Sequence, residues 1–295
     1  MASLQPHAQT VGETIKWCAV QLDCADVYFG HGTDCAVDEA AALVFHIAGL
    51  EHDSNPEHYA REFGAAELAY LRKLLQQRIE QRIPTPYLLN EAWFAGLKFF
   101  VDPRVLIPRS PIAELIVQRF VPWVDPPRVQ RVLEIGTGSG CIAIACALAF
   151  PASHIVATDL SADALDVARI NLRQHAVTDR VRLLEADMFA GVDGRFDLIV
   201  SNPPYVPTGE ISSLPAEFAH EPSFALASGV DGLDSARRIL QDARKFLQPS
   251  GVLALEVGEG LAALEAAYPA LPFVWPELER GGQGIALLLA GDMVE

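Results

Sequence analysis

Apolar positions in "AAELAYLRKLLQQRIEQRI" recur at three- and four-residue steps, so that Leu68, Leu71, Leu75, Ile79 and Ile83 share one face. That period predicts an amphipathic helix. Arg72, Lys73, Arg78 and Arg82 fall mostly off the apolar stripe and read as a solvated basic face rather than an RNA contact. Two more helices are expected upstream, in "VGETIKWCAVQLDCADV" and "AVDEAAALVFHIAGL". The second opens after Thr33-Asp34 with acids in its first turn, where the helix dipole favours them. Pro84 and Pro86 in "RIPTPYLL" should end the long helix, because proline has no N–H and crowds the preceding turn. Aromatic and β-branched residues around Gly96 in "AWFAGLKFFVDPRVLIPRSP" predict a hairpin.

From about Arg128 the pattern changes. Short apolar runs, "RVLEIG", "HIVATDL", "RVRLLEAD", "FDLIVSN" and "GVLALEVG", alternate with helical segments, "GCIAIACALAF", "SADALDVARINLRQH" and "DGLDSARRILQDARKFL". This alternation predicts an α/β fold, a parallel, doubly wound sheet with helices on both faces. The tail differs: "FVWPELE", Gly281-Gly282 and "GIALLLA" read as strand, turn, strand. The expected sheet therefore has seven strands and ends in an antiparallel pair. The expected division is a helical domain over 1–90, a hairpin linker over 91–110 and the sheet domain over 111–295.

With 295 residues, 51% of them hydrophobic, the chain can bury a sizeable core in one large domain or two. Its most apolar stretch, "CIAIACALAF", is shorter than the roughly 18 residues a membrane span needs. "MASLQPHAQTVGE" lacks the basic-then-apolar order of a secretory signal. The five cysteines and eight histidines show no metal-ligand spacing. Reduced thiols, a cytoplasmic location and no metal are expected. The net charge of −16 argues against a protein that grips DNA, and suits a small cationic ligand or a basic protein partner.

The chemistry concentrates in two places. "VLEIGTGSGCIAIA" sets Gly136, Thr137, Gly138 and Gly140 between a strand and a helix, where glycine lets the backbone pass close to a ligand. About twenty residues on, Asp159 ends the next strand, placed to accept from a ribose diol. Gly140 comes too early for the dinucleotide fingerprint, and Glu134 beside the loop would repel a pyrophosphate. An ammonium and a sulfonium would suit that acid, as S-adenosylmethionine carries. Asp187 and Met188 in "LEADMF" end the third strand and could wall an adenine, although Met188 reads equally well as core.

The second place is "FDLIVSNPPYVP", where a buried strand halts at Asn202-Pro203-Pro204-Tyr205. Two prolines remove donors and stiffen the corner. An amide nitrogen is a poor nucleophile because its lone pair is delocalised. The Asn202 side-chain oxygen and the Pro203 carbonyl can hold both N–H groups of such an amide. Tyr205 can lie against its plane. The plainer reading is a structural turn capped by Asn202; the glycine loop, Asp159 and the strand position weigh against it.

"NPPY" after such a sheet resembles the class I S-adenosylmethionine-dependent amino-methyltransferases, and nearly the whole chain resembles the protein N(5)-glutamine methyltransferases. "AWFAGLKFFVDPRVLIPRSPIAELI" is similar to that group's linker hairpin, and "HEPSFALASGVDGLDSARRIL" to its signature segment. "IPRSPIAEL", "TGSGCIAIA" and "LASGVDGLD" resemble the branch that modifies large-subunit ribosomal protein L-three. The alternative branch, acting on the GGQ glutamine of release factors, usually has proline and an acid where this chain has Ser110-Pro111, and tryptophan where it has Met188. A DNA adenine methyltransferase is disfavoured by charge. The resemblance implies cofactor contacts at Gly136, Gly138, Gly140, Asp159 and Asn202, and a glutamine received by Asn202 through Tyr205. It also implies an all-helical substrate-recognition domain. Position 136 is often not glycine in related chains. Arg109 reads either as an orienting group or as half of an ion pair. Glu256 reads as edge packing or as support behind the site.

Overall fold

The computed structural model describes residues 9–51, 55–279 and 281–293. The stretch "MASLQPHAQTVGE", read above for a leader, lies largely outside them. The chain divides into two compact units, Met1–Glu91 with Pro215–His220, and Ala92–Leu214 with Glu221–Glu295.

In the first unit, β1 (Gln9–Thr10) leads into α1 (Val11–Cys24), followed by α2 (Ala36–Ala48), α3 (Pro56–Ala60), β2 (Glu62–Phe63), α4 (Ala65–Glu80) and α5 (Thr85–Leu89). A capping box starts α1: Glu13 N donates to Thr10 Oγ1 at 3.2 Å and Thr10 N donates to Glu13 Oε2 at 3.0 Å. The β1–β2 pair is a small departure from the all-helical expectation. Pro84 and Pro86 end one helix yet start another, because a first-turn proline loses no helical hydrogen bond. Cys18, Leu22, Leu43, Val44, Leu71 and Leu75 belong to this unit's core.

Arg78 corrects the sequence reading. It is buried, not on a solvated face. It lies three residues after Leu75 and four after Leu74, on the inner side of α4. Its Nε donates to Glu39 Oε1 at 2.6 Å, Nη1 to Glu217 Oε1 at 2.9 Å, and Nη2 to the Tyr28 carbonyl at 2.7 Å.

The second unit opens with a hairpin, β3 (Ala92–Phe94) and β4 (Leu97–Phe99), turned by Ala95 and Gly96 at φ 51° and 77°. Positive φ at both turn residues matches the right-handed twist of paired strands. There follow α6 (Ile112–Val117), β5 (Arg131–Ile135), α7 (Cys141–Ala149), β6 (His154–Asp159), α8 (Ala162–Gln174), β7 (Val181–Glu185) and β8 (Phe196–Ser201). The unit closes with α9 (Asp234–Phe246), β9 (Leu247–Glu256), α10 (Leu261–Ala267) and β10 (Ile285–Leu289).

The sheet order is β10-β9-β8-β5-β6-β7, parallel except for β10 against β9. Side chains alternate between two cores. Val132, Leu198, Val200 and Ala254 face the one containing α7, while Leu133, Ile199, Leu253 and Leu255 face the one containing α9. Both faces are covered, so these strands read as unbroken apolar runs. Within α9, Ala236, Ile239, Leu240 and Ala243 supply the inward stripe.

Among the described residues the sheet has six strands rather than the expected seven. "FVWPELE" contributes a single bridge, Val274 to Leu287. Pro272 and Pro276 flank Val274 and cannot donate to a ladder, so pairing stops there. No helix among the described residues is long and apolar enough to cross a membrane.

Candidate active site

In this strand order the chain reverses direction of travel between β5 and β8, and ligands of open α/β sheets bind beyond the strand ends at such a point. Ile135 pairs with Ser201, so the glycine loop and the Asn202 corner leave neighbouring strands at the same height. Ser201 Oγ donates to the Ile135 carbonyl at 2.8 Å and ties the two exits together.

Glu134, at the end of β5, organises the loop. Its Oε2 accepts from Thr137 Oγ1 and from Ala143 N, the latter at 2.9 Å. Burial pushes its pKa up to about 8, against those two hydrogen bonds, and the Asp159 charge adds to the rise. Gly136 N and Thr137 N both donate to the Thr158 carbonyl at 2.9 Å, folding the loop over β6. Gly136 and Gly138 adopt φ 74° and 53°, and a Cβ on either would meet nothing within 4 Å. Backbone conformation rather than crowding therefore favours glycine at 136.

Asp159 accepts from Gly138 N at 2.8 Å and from Ser161 N at 2.9 Å. Burial raises its pKa, and those backbone donors oppose the rise. Across the loop, buried Asn171 donates to the Ser139 carbonyl at 2.8 Å and the Phe100 carbonyl at 3.0 Å, and accepts from Phe100 N at 2.7 Å. It clamps the glycine loop to the segment after the hairpin.

One cavity collects Glu134, Gly136, Thr137, Gly138, Asp159, Asp187, Met188, Asn202, Pro203 and Pro204. Two expected members stand apart. Gly140, at φ 82°, faces Ala168, whose Cβ would lie 3.2 Å from an added Cβ; its smallness lets α7 approach α8. The ring of Tyr205 lies against Gly258, where an added Cβ would come within 2.7 Å of Tyr205 Cε2. Met188 lines the cavity and also packs on the core beneath β5. Asp187 is half exposed and pairs with Arg238 Nη2 at 2.8 Å.

The corner itself is braced downstream. Val206 N donates to the Leu226 carbonyl and Ser228 N to the Val206 carbonyl, each at 2.9 Å. Arg109 is half of an ion pair: its Nη1 and Nη2 reach Glu221 Oε1 and Oε2 at 2.7 and 2.8 Å. Ser110, Leu160 and Phe224 also line the cavity and were missed as site residues; Phe224 is more than half exposed. No local pattern marks a rim residue whose place depends on a long loop.

The donor set suits a nucleoside with a cationic amino-acid tail. A buried acid ends β6, a second acid underlies the loop, and open backbone at Gly136 and Gly138 allows close approach. S-adenosylmethionine has that composition. Sheet order, loop and corner together define a class I methyltransferase.

Comparison with known proteins agrees. Residues 113–231 match the methyltransferase small domain family. A "Ribosomal protein uL3 glutamine methyltransferase" of Francisella tularensis subsp. tularensis is 42% identical over 291 residues, 98% of this chain and 93% of that protein. The protein so named from Neisseria meningitidis serogroup A is 43% identical over 286 residues, 97% of this chain and 94% of its own. A crystal structure of the hMettl16 catalytic domain in complex with MAT2A 3′UTR hairpin 1 shares the fold, at TM-score 0.50 and 16% identity, covering 84% of this chain and 89% of that one. The chain belongs to the family of the ribosomal protein uL3 glutamine methyltransferases.

Proposed function

We propose that the chain transfers a methyl group from S-adenosylmethionine to the side-chain amide nitrogen, N5, of a glutamine in large-subunit ribosomal protein uL3. The observation that carries this reading is the shared exit height of the glycine loop and the Asn202-Pro203-Pro204 corner in one cavity. The names of relatives more than 40% identical over nearly the whole chain support the protein target.

Asp159, the backbone of Gly136 and Gly138, Asp187 and Met188 would hold S-adenosylmethionine, with Glu134 keeping the loop in shape. When bound, it supplies a methyl carbon activated by a sulfonium. The remaining work falls to the corner. The Asn202 side-chain oxygen and the Pro203 carbonyl accept the two N–H groups of the glutamine amide and leave its lone pair directed outward. Fixing both donors replaces the cost of orienting a weak nucleophile with a preformed geometry. The new N–CH₃ bond forms as the S–CH₃ bond breaks, the sulfonium charge disappears, and one amide proton leaves to solvent. Polar acceptors in a water-poor site are matched to that loss of charge.

The helical unit is proposed to recognise the substrate protein. The whole protein is proposed to act in the cytoplasm, on uL3 before or during ribosome assembly, without DNA or membrane as partner. Tandem mass spectrometry of uL3 incubated with the protein and S-adenosylmethionine tests the chemistry. A single methyl on a glutamine side chain is expected; a methyl on lysine, arginine or a backbone terminus would overturn the reading.

A further inference from the structure

Of the chain's 14 phenylalanines, all within the described residues, Phe224 alone is exposed, at 56%; the others are buried or partly buried. A single exposed apolar residue is ordinary on a protein surface. Phe224 differs in its place and in how firmly its backbone is held. It lines the same cavity as Asn202, Pro203 and Pro204, and forms part of its rim.

The backbone around Phe224 is fixed on both sides. Upstream, the buried carboxylate of Glu221 accepts from Arg109 Nη1 and Nη2 at 2.7 and 2.8 Å, and from Ile107 N at 3.0 Å. Pro222 follows, and Ser223–Ala225 form one tight turn. In it, Ala225 N donates to the Pro222 carbonyl at 2.9 Å and Leu226 N to the Ser223 carbonyl at 3.1 Å. Downstream, the Leu226 side chain is buried, Ala227 forms a parallel bridge with Val206, and Thr208 N donates to the Gly229 carbonyl at 2.7 Å. The segment bearing Phe224 therefore runs beside the chain that leaves the corner, and travels with Asn202 rather than with the glycine loop. Leu160, the other large apolar residue exposed on the rim, directly follows Asp159 and belongs to the loop side.

We propose that Phe224 is a specificity-determining residue for the protein substrate: its ring is the apolar wall on the acceptor side of the cavity, against which the methylene stem of the glutamine lies while its amide enters the corner. This assignment deepens the methyltransferase reading above and rests on it. The polar acceptors of the corner can hold only the amide, and the stem behind it needs an apolar surface. Covering the ring removes apolar area from water on both partners. Because the turn is already braced, little ordering cost falls on binding.

The test compares Phe224→Ala, Phe224→Leu and the wild type. More than half of the side chain is exposed, so both variants should melt at the wild-type temperature. Covering about half of a phenylalanine side chain corresponds to about a five- to tenfold change in affinity. Phe224→Ala should raise the KM for uL3 by that factor with kcat near wild type, since the contact is made equally before and during transfer. Phe224→Leu should recover most of the loss, and S-adenosylmethionine affinity by calorimetry should be unchanged in both. A second readout needs no turnover. With 4-fluorophenylalanine in place of Phe224, the ¹⁹F signal should move on adding uL3 and stay still with S-adenosylmethionine alone. An unchanged KM in Phe224→Ala would overturn the proposal, as would a ¹⁹F signal indifferent to uL3 in an active enzyme. Weakened S-adenosylmethionine binding in Phe224→Ala would give the ring to the cofactor and overturn it too. A signal that moves with uL3 in a protein that methylates nothing would instead sink the underlying methyltransferase reading, and the specificity role with it.

Discussion

Replacing Arg78 by methionine tests the buried charge network of the helical unit. The side chains of Arg78, Glu39 and Glu217 are 1%, 5% and 2% exposed, so all three charges have left water. One guanidinium serves both carboxylates and the Tyr28 carbonyl. The carboxylates hold other donors: Thr85 Oγ1 to Glu39 at 2.6 Å, Tyr28 N to Glu217 at 3.0 Å, and Arg82 Nη1 3.5 Å from Glu217. For Glu217, burial acts to raise the pKa, but hydrogen bonds from Arg78 and Tyr28 N outweigh it and hold the carboxyl below its ordinary range.

Methionine keeps most of the volume and removes the cation that, among the described residues, touches both acids. Breaking such a buried arrangement from one side typically destabilises by about 3–5 kcal/mol. Arg78→Lys should recover only part, because an ammonium cannot reproduce the three-way fork. Replacing Arg78, Glu39 and Glu217 together by Met, Leu and Leu should recover most of it, since no unpaired charge remains buried. Urea unfolding followed through Trp17 of α1, with Trp93, Trp123 and Trp275 changed to Phe, reads this unit. A loss under about 1 kcal/mol for Arg78→Met would mean that the network is solvated, and would refute the reasoning.

Other outcomes follow from the site. The Glu134 carboxyl is raised to about 8 in the folded chain from an ordinary 4.5, so the native state holds a proton that the unfolded state releases. Stability from this group is fully present at pH below about 4.5 and falls as pH rises toward about 8; Glu134→Gln should flatten the slope of urea midpoint against pH across that window. Asp159→Asn removes a charged acceptor at the end of β6 and should weaken S-adenosylmethionine binding about ten- to hundredfold by calorimetry. Gly258→Ala, at φ 51° and within 2.7 Å of the Tyr205 ring, should displace the ring and cut methyl transfer while leaving calorimetric S-adenosylmethionine affinity intact.

The parallel sheet was legible because each strand is buried on both faces and each helix carries one apolar stripe, so the two periods stand apart in the chain. The glycine loop and the proline corner were legible because few residues tolerate those backbones. What escaped was decided at a distance. Arg78 looks like a surface cation until Glu217, 139 residues away, reaches it. Asn171, in the middle of α8, looks like an exposed polar residue until Phe100 and Ser139 present their backbone groups to it. Gly140 and Tyr205 belong to recognisable motifs, but Ala168 and Gly258 decide where they face. The missing seventh strand shows the reverse case, in which Pro272 and Pro276 already carried the information.

The most direct measurement of the central claim is transfer of labelled methyl from S-adenosylmethionine to purified uL3 and, in parallel, to a peptide-chain release factor, with Asn202→Ala as control. Label on uL3 alone, lost in Asn202→Ala, is the expected result. Label on the release factor instead would contradict the target, and label on uL3 that survives Asn202→Ala would contradict the role of the corner.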